Sequence, residues 1–259
     1  MDLGIAGRNA IVCASSKGLG RACAVELAHA GARVAINGRN AELLAQVCAE
    51  IAEETGAEVI AVAGDMSTPE GRAALLGAFG EVDILVNNNG GPPPRDFRQV
   101  DHDGMLAGLE ANMIAPIALI QAVIDGMVER RFGRIVNITS GSVKAPIAGL
   151  DLSSGARAGL TGFVAGVARS VAHANVTINN LLPGAFDTDR IAALMDNQAR
   201  QSGRDAGEIR RQREQGIPAK RFGDPAEFGA ACAFLCSVQA GYIIGQSILI
   251  DGGAFPGIL

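Results

Sequence analysis

The 259-residue chain has no tryptophan, a single tyrosine (Tyr242), three histidines and only 4% aromatic residues. Its interior therefore has to be filled by aliphatic and small side chains rather than rings, in keeping with 48% hydrophobic residues and 34 glycines. The five cysteines, Cys13, Cys23, Cys48, Cys232 and Cys236, are an odd set with neither disulfide-framework nor Cys-x-x-Cys spacing. Cys232 and Cys236 share one face of an expected helix, but two thiolates without a third ligand make a poor metal site, so core packing and no metal are expected. Positive charge is neither abundant nor clustered: the net charge of −5 offers no footprint for nucleic acid or anionic membrane. The one basic stretch, Arg204 to Arg213, is interleaved with Asp205 and Glu208 and reads as a solvated helix face. No run of apolar residues approaches the roughly 18 of a membrane span. The opening MDLGIAGRNA lacks the basic-then-apolar order of a signal peptide, so a cytoplasmic protein with reduced thiols is expected.

What is present is a regular alternation. Short apolar runs at Asn9–Ala14, Arg33–Asn37, Glu58–Ala63, Asp83–Val86, Arg134–Thr139, Val176–Leu181 and Ser247–Asp251 read as strands. Helical stretches near 18–30, 40–55, 69–79, 103–130, 154–174 and 224–238 lie between them. Continuous apolar segments such as ILV at 84–86 and ILI at 248–250 imply strands buried on both faces. The expected fold is one α/β domain over residues 1–259, a Rossmann-type three-layer, doubly wound parallel sheet of about seven strands. Ligands bind such sheets beyond the carboxyl ends of the strands. Two segments break the alternation: GGPPPRDF at 90–97, whose prolines exclude helix, and a long polar insertion at 186–222 that suits a substrate lid.

The first strand runs into Cys13-Ala14-Ser15-Ser16-Lys17-Gly18-Leu19-Gly20 and then a helix. Glycines at a strand-to-helix turn let the backbone approach a pyrophosphate, and the helix N-terminus offers N–H groups and a positive dipole end. The second strand ends in Asn37-Gly38-Arg39-Asn40, without the carboxylate that binds the ribose of NAD. Arg39 and Lys17 suit a 2′-phosphate instead, so NADP(H) is favoured over NAD(H). These motifs resemble the short-chain dehydrogenase/reductase family, in which the turn reads Thr-Gly-x-x-x-Gly-x-Gly; here Cys13 and Ala14 stand at its first two positions. The resemblance extends to Asp65 and Met66 after the third strand, to Asn87-Asn88-Asn89-Gly90, and to Asn179, Pro183-Gly184 and Thr188. It runs from about residue 6 to 253 and implies that these groups line a dinucleotide site.

The same resemblance exposes the missing tyrosine. In the family a serine closes the fifth strand and a Tyr-x-x-x-Lys pair follows thirteen residues later. Ser140 and, in the preceding long helix, Asn112 stand where the family's serine and asparagine do, but the pair is replaced by Ser153 and Arg157. An alkyl hydroxyl is shorter and far less acidic than a phenol, and arginine does not give up its proton. Lys144, if desolvated, or Asp151 are the candidates for a relocated acid, with mutual pairing or pairing to Arg157 as the alternative. The Arg157 fork either binds a substrate carboxylate or phosphate, or pairs with Asp151 or a backbone carbonyl. His29, His102 and His173 read as surface or packing residues. The resemblance thus implies an NADP(H)-dependent carbonyl/alcohol oxidoreductase with a non-standard proton donor and a small substrate, anionic where the Arg157 fork binds it. The alternatives are a nucleotide-binding protein without redox turnover and a lyase or isomerase using the same cleft. Small residues at Gly155, Ala158, Gly159, Gly162, Ala165 and Gly166 resemble the family's four-helix dimer interface, and the terminal FPGIL suits a tetramer contact, so a homodimer or homotetramer is expected.

Overall fold

The computed structural model describes residues 1–92 and 94–257. Seven parallel strands are ordered β3-β2-β1-β4-β5-β6-β7. They are β1 (Asn9–Val12), β2 (Arg33–Gly38), β3 (Val59–Ala63), β4 (Ile84–Asn87), β5 (Gly133–Ile138), β6 (Val176–Pro183) and β7 (Ser247–Ile250). The strand order reverses between β1 and β4, which opens a crevice at their carboxyl ends.

Helices α1 (Gly18–His29), α2 (Ala41–Thr55) and α9 (Pro225–Cys236) cover one face. They pack on it through Cys23, Leu27, Leu44, Ile51, Phe228 and Cys232. The other face is covered by α3 (Pro69–Leu76), α4 (His102–Leu109), α5 (Ala115–Glu129) and α6 (Asp151–Val171), through Leu75, Leu119, Ile120, Leu160 and Val164. Side chains of Asn40, Thr68, Asp101 and Asp224 cap the N-termini of α2, α3, α4 and α9, with proline early in α3 and α9. Inside the sheet, the Asn87 amide donates to Asn137, Asn137 to Asn180, and Asn180 to the Ser247 hydroxyl. This row pairs the buried amides from β4 to β7 with one another and leaves Asn87 Oδ1 without a partner among the described residues.

The structure differs from the sequence reading at β7 and in the long helix before β5. ILI at 248–250 is only half-buried, because β7 is an outer strand of the sheet and β3 the other. The stretch expected at 103–130 runs from His102 to Glu129 with one π-helical turn, Glu110–Ile114, between α4 and α5. That helix is long and apolar enough to cross a membrane by composition, with a mean hydropathy of 1.6. Here it packs Leu119, Ile120, Val123 and Met127 against the sheet. The insertion at 186–222 forms α7 (Asp189–Ser202) and α8 (Ala206–Gly216), closed over a small cluster of Met195, Ile209, Ile217 and Phe222. Within GGPPPRDF, Pro93 lies outside the described residues, as do the last two residues of FPGIL.

Cys23, Cys232 and Cys236 are all buried in the core, where hydrogen bonding of Cys232 with Cys23 and of Cys236 with Cys232, and then burial, push the thiols of Cys232 and Cys236 well up. Among the described residues no group of metal-ligating side chains converges.

Candidate active site

A cleft of about 550 Å³ lies at the carboxyl ends of the strands. Ser16, Lys17, Gly38, Arg39, Asp65 and Met66 line one end; Asn89, Asn112, Asp151 and Ser153 line the other. The N-terminus of α1 points into the first end without a side-chain cap, in contrast to the four capped helices above. Its free N–H groups form an anion site. The approach is close: Gly18 has φ +55°, and a Cβ at Gly20 would meet the Ala14 carbonyl oxygen at 2.5 Å and the Asn88 amide nitrogen at 2.7 Å. Ala14 itself adopts φ +44°. The turn holds it there: its N–H donates to Asn37 Oδ1 at 3.2 Å, and its carbonyl accepts from Asn88 Nδ2 at 3.1 Å. The methyl at this position therefore does not abolish the turn; it adds the backbone strain a non-glycine residue carries there.

Several expected ligands turn out to shape the turn rather than line the cleft. Ser15 is fully buried, donating its hydroxyl to Val12 O at 2.7 Å and accepting from Asn37 N–H at 2.9 Å. Gly18, Leu19, Gly20 and Asn88 are not among the residues lining the cleft, nor are Pro183, Gly184 and Thr188 at the end of β6 and before α7. Thr188 reaches the turn all the same, since its methyl would stand 3.6 Å from a Cβ at Gly18. Arg39 is exposed beside Gly38, and Lys17 is within 3.8 Å of the Asp189 carboxylate, with both side chains open to solvent. Asp65 accepts from the Ser67 N–H and lines the cleft.

At the other end Arg157 is buried, with no carboxylate among its partners. Its Nη1 donates to Ile138 O and Thr139 O, both at 2.8 Å, its Nη2 to Asn89 O at 3.0 Å, and its Nε to Ser153 Oγ at 3.2 Å. The fork is thus spent on backbone carbonyls, tying the end of β5 to the loop after β4. Of the alternatives for Arg157, pairing to backbone carbonyls is the one seen, and neither an anion-binding fork nor a pair with Asp151 is formed. Burial, and then the charge of Arg190, pull Arg157 down to about 10, which leaves it a cation at neutral pH. Because Ser153 Oγ accepts from Arg157, its own hydrogen is left to donate into the cleft.

Asn112 sits in the π-helical turn, buried, with Nδ2 on Gly108 O and Oδ1 without a partner. A buried carbonyl oxygen on a cleft wall calls for a donor such as water or a ligand hydroxyl. Ser140 lies one layer behind the lining, accepting from Ser142 N–H at 3.1 Å and from the Ser142 hydroxyl at 2.9 Å. Ser142 in turn accepts from Ser154 at 2.9 Å, so the proton of Ser140 is free to be donated onward. Lys144 is exposed and off the cleft wall, so the desolvation needed to make it an acid is absent. Asp151 is exposed but does line the cleft, at the first position of α6.

A family model described as enoyl-(acyl carrier protein) reductase matches residues 13–254. The chain belongs to the short-chain dehydrogenase/reductase family. It is 34% identical over 256 residues to the NADPH-dependent reductase BacG of Bacillus subtilis, across 97% of this chain and 99% of that one. It is likewise 34% identical over 257 residues to the 3-oxoacyl-[acyl-carrier-protein] reductase FabG of Vibrio cholerae, across 98% of this chain and 99% of the relative. Among solved structures, L-sorbose reductase from Gluconobacter frateurii, complexed with NADPH and L-sorbose, superposes with a TM-score of 0.95 at 28% identity over the full length of both chains. Against this short-chain dehydrogenase/reductase background, the sequence reading missed Arg190 on α7. A Cβ at Gly91 would stand 3.2 Å from Ser153 Oγ and 3.3 Å from Arg190 Nη2. Only the fold brings that cation, from the hollow beside α7, close to Gly91 and Ser153.

Proposed function

We propose that the protein is an NADP(H)-dependent oxidoreductase acting on a small carbonyl or alcohol, with Ser153 rather than a phenol at the substrate oxygen. The observation that carries this is one continuous cleft from the uncapped N-terminus of α1, past Arg39, to Ser153 and the unpartnered Asn112 oxygen. The residues present fit the cofactor: close backbone at Gly18 and Gly20 for the pyrophosphate, Arg39 and Lys17 for a 2′-phosphate, Asp65 for the adenine. BacG and sorbose reductase, both associated with NADPH by name, support the same choice. When bound, the reduced nicotinamide supplies a hydride to a carbonyl carbon, and the oxygen then needs a proton. The Asp151 carboxyl would give that oxygen its proton and recover one from solvent, while Ser153 and Ser140 would offer hydroxyls to the same oxygen and Asn112 Oδ1 would accept from a water. The segment 186–222 acts as the substrate lid of a single domain. Open helix-face glycines at Gly155, Gly162 and Gly166 suit a homodimer or homotetramer, to be read by light scattering as twice or four times the mass of one chain.

Two measurements test the reading. NADPH should bind at least about tenfold more tightly than NADH, a margin that Arg39→Ala removes, since a hydrogen bond to a charged group contributes about 1.5–3 kcal/mol. Equal affinities would overturn the cofactor assignment. NADPH should also be consumed with some member of a panel of ketones and aldehydes, and Asp151→Asn should lower kcat about tenfold and flatten its pH profile. That loss lies below the usual ~10²–10⁴ for general acids because water reaches the same place. A nucleotide-binding protein without turnover is the second reading, favoured by the locking of Arg157 to backbone carbonyls. Tight NADPH binding with no consumption across the whole panel would establish it.

A further inference from the structure

We infer that Arg190 is the carboxylate-binding residue of the substrate site, and that the protein takes small oxo acids rather than neutral ketones. This rests on the reductase reading above and assigns the substrate class of that same cleft. Arg190 is the second residue of α7 and is exposed. Among the described residues it has no hydrogen bond and no ion pair, although its neighbour Asp189 lies near Lys17. Its guanidinium nitrogens stand 3.3 and 3.5 Å from the point where a Gly91 side chain would begin, and Ser153 Oγ stands 3.2 Å from the same point. Hydroxyl and guanidinium therefore face one small gap that exists because residue 91 has no side chain. A molecule with its carbonyl oxygen on Ser153 and a carboxylate a few bonds away spans that gap.

Charge points the same way. Arg157 lies buried behind Ser153 with only carbonyl and hydroxyl partners, so two guanidinium groups converge here without a carboxylate paired to either. The charge of Arg190 is, after burial, the second cause of the depressed Arg157 value. The acidic groups nearby are Asp151, two residues before Ser153 on α6, and Asp189, neither paired to Arg190 among the described residues. A ligand anion supplies the missing counter-charge, and a guanidinium fork matches a carboxylate through two parallel hydrogen bonds. Beyond Arg190, a shallow hollow between the loop after β4 and α7 is lined by Pro94, Ala193, Leu194 and Asn197. It leaves room for an aliphatic portion of the same molecule. Because α7 also meets the glycine turn through Thr188, the helix that carries Arg190 touches both halves of the cleft.

The test uses pyruvate, acetoacetate and levulinate, each beside its methyl ester, titrated by calorimetry into the NADPH-saturated protein. At least one acid should bind about tenfold or more tightly than its ester. Arg190→Gln should bring that ratio close to one, and Arg190→Lys should keep part of it, as expected for loss of a bidentate charged contact. Gly91→Ala, which leaves both groups in place but fills the gap, should weaken the acid as well. Melting temperatures confirm that each variant is folded. Equal binding of acid and ester by the unaltered protein, no binding of either, or a preference that survives Arg190→Gln overturns the assignment. A separate titration with NADPH alone keeps the two proposals apart. Its failure removes the reductase reading, while an acid preference that depends on Arg190 without cofactor would still uphold the anion site.

Discussion

Replacing Arg157 with methionine is expected to lower folding stability by about 3 kcal/mol, read as a shift in the urea midpoint at constant slope. The side chain is buried and holds three backbone carbonyls, Ile138 O, Thr139 O and Asn89 O, with the Ser153 hydroxyl as a fourth partner. Methionine fills a similar volume but donates nothing, so those carbonyls lose their charged donor in a place water reaches poorly. Each stranded acceptor costs about 1–3 kcal/mol. Part of that is offset, because the native protein no longer has to keep an unpaired cation out of water. Arg157→Lys should fall between the two, since an ammonium has three donors but no fork to span both β5 and the loop after β4. Amide exchange in residues 89–92 should speed up in the methionine variant, because Asn89 O is the tether of that loop. A methionine variant as stable as the parent would refute the structural role. The family's lysine position has become a brace here, and for that reason restoring tyrosine and lysine together is not a simple graft.

Most of what a local stretch of chain decides was legible in the amino-acid sequence. The Gly18 and Gly20 spacing announces a turn that needs close backbone, and the turn has it. The four-residue spacing of Cys232 and Cys236 announces a shared buried face, and both are buried. What failed were readings that needed a partner from elsewhere in the chain. ILI at 248–250 looks like a central strand because apolar runs do not say whether a second neighbour exists; β7 has only β6 beside it. Arg157 was legible as a cation on the right turn of the helix, but its partners lie 18, 19 and 68 residues away. A fork that meets three carbonyls cannot be told by spacing from one that meets a ligand. Arg190 was hidden in a polar insertion where any single charge reads as solvated. Ala14 stood out in the sequence only as a departure from the family's glycine. Missing was the Asn37 and Asn88 bracket that holds the residue at positive φ.

Replacing Gly20 with valine is expected to weaken NADPH binding by about 100- to 1,000-fold, about 3–4 kcal/mol, measured by fluorescence titration. The argument is one of space and dipole together. The first atom of any side chain at this position would lie 2.5 Å from the Ala14 carbonyl oxygen, 2.7 Å from Asn88 Nδ2 and 3.0 Å from Ser15 Cα. Two of these are backbone atoms and the third is hydrogen-bonded to the first, so none can rotate away as the end of a flexible side chain would. Either the start of α1 backs off from the turn, or the turn moves and breaks the Asn88–Ala14 bond. In both cases the free N–H groups at the helix start no longer converge with the glycine loop, and the anion site comes apart. Overpacking costs about 1–3 kcal/mol of stability as well, so the variant should be compared below its melting transition. Gly162 supplies the control: it lies in α6 with nothing within 4 Å of a built Cβ, and Gly162→Ala should leave NADPH affinity alone. Undiminished NADPH binding by the folded Gly20→Val protein would show that the cofactor enters elsewhere, and the cleft described above would lose its first occupant.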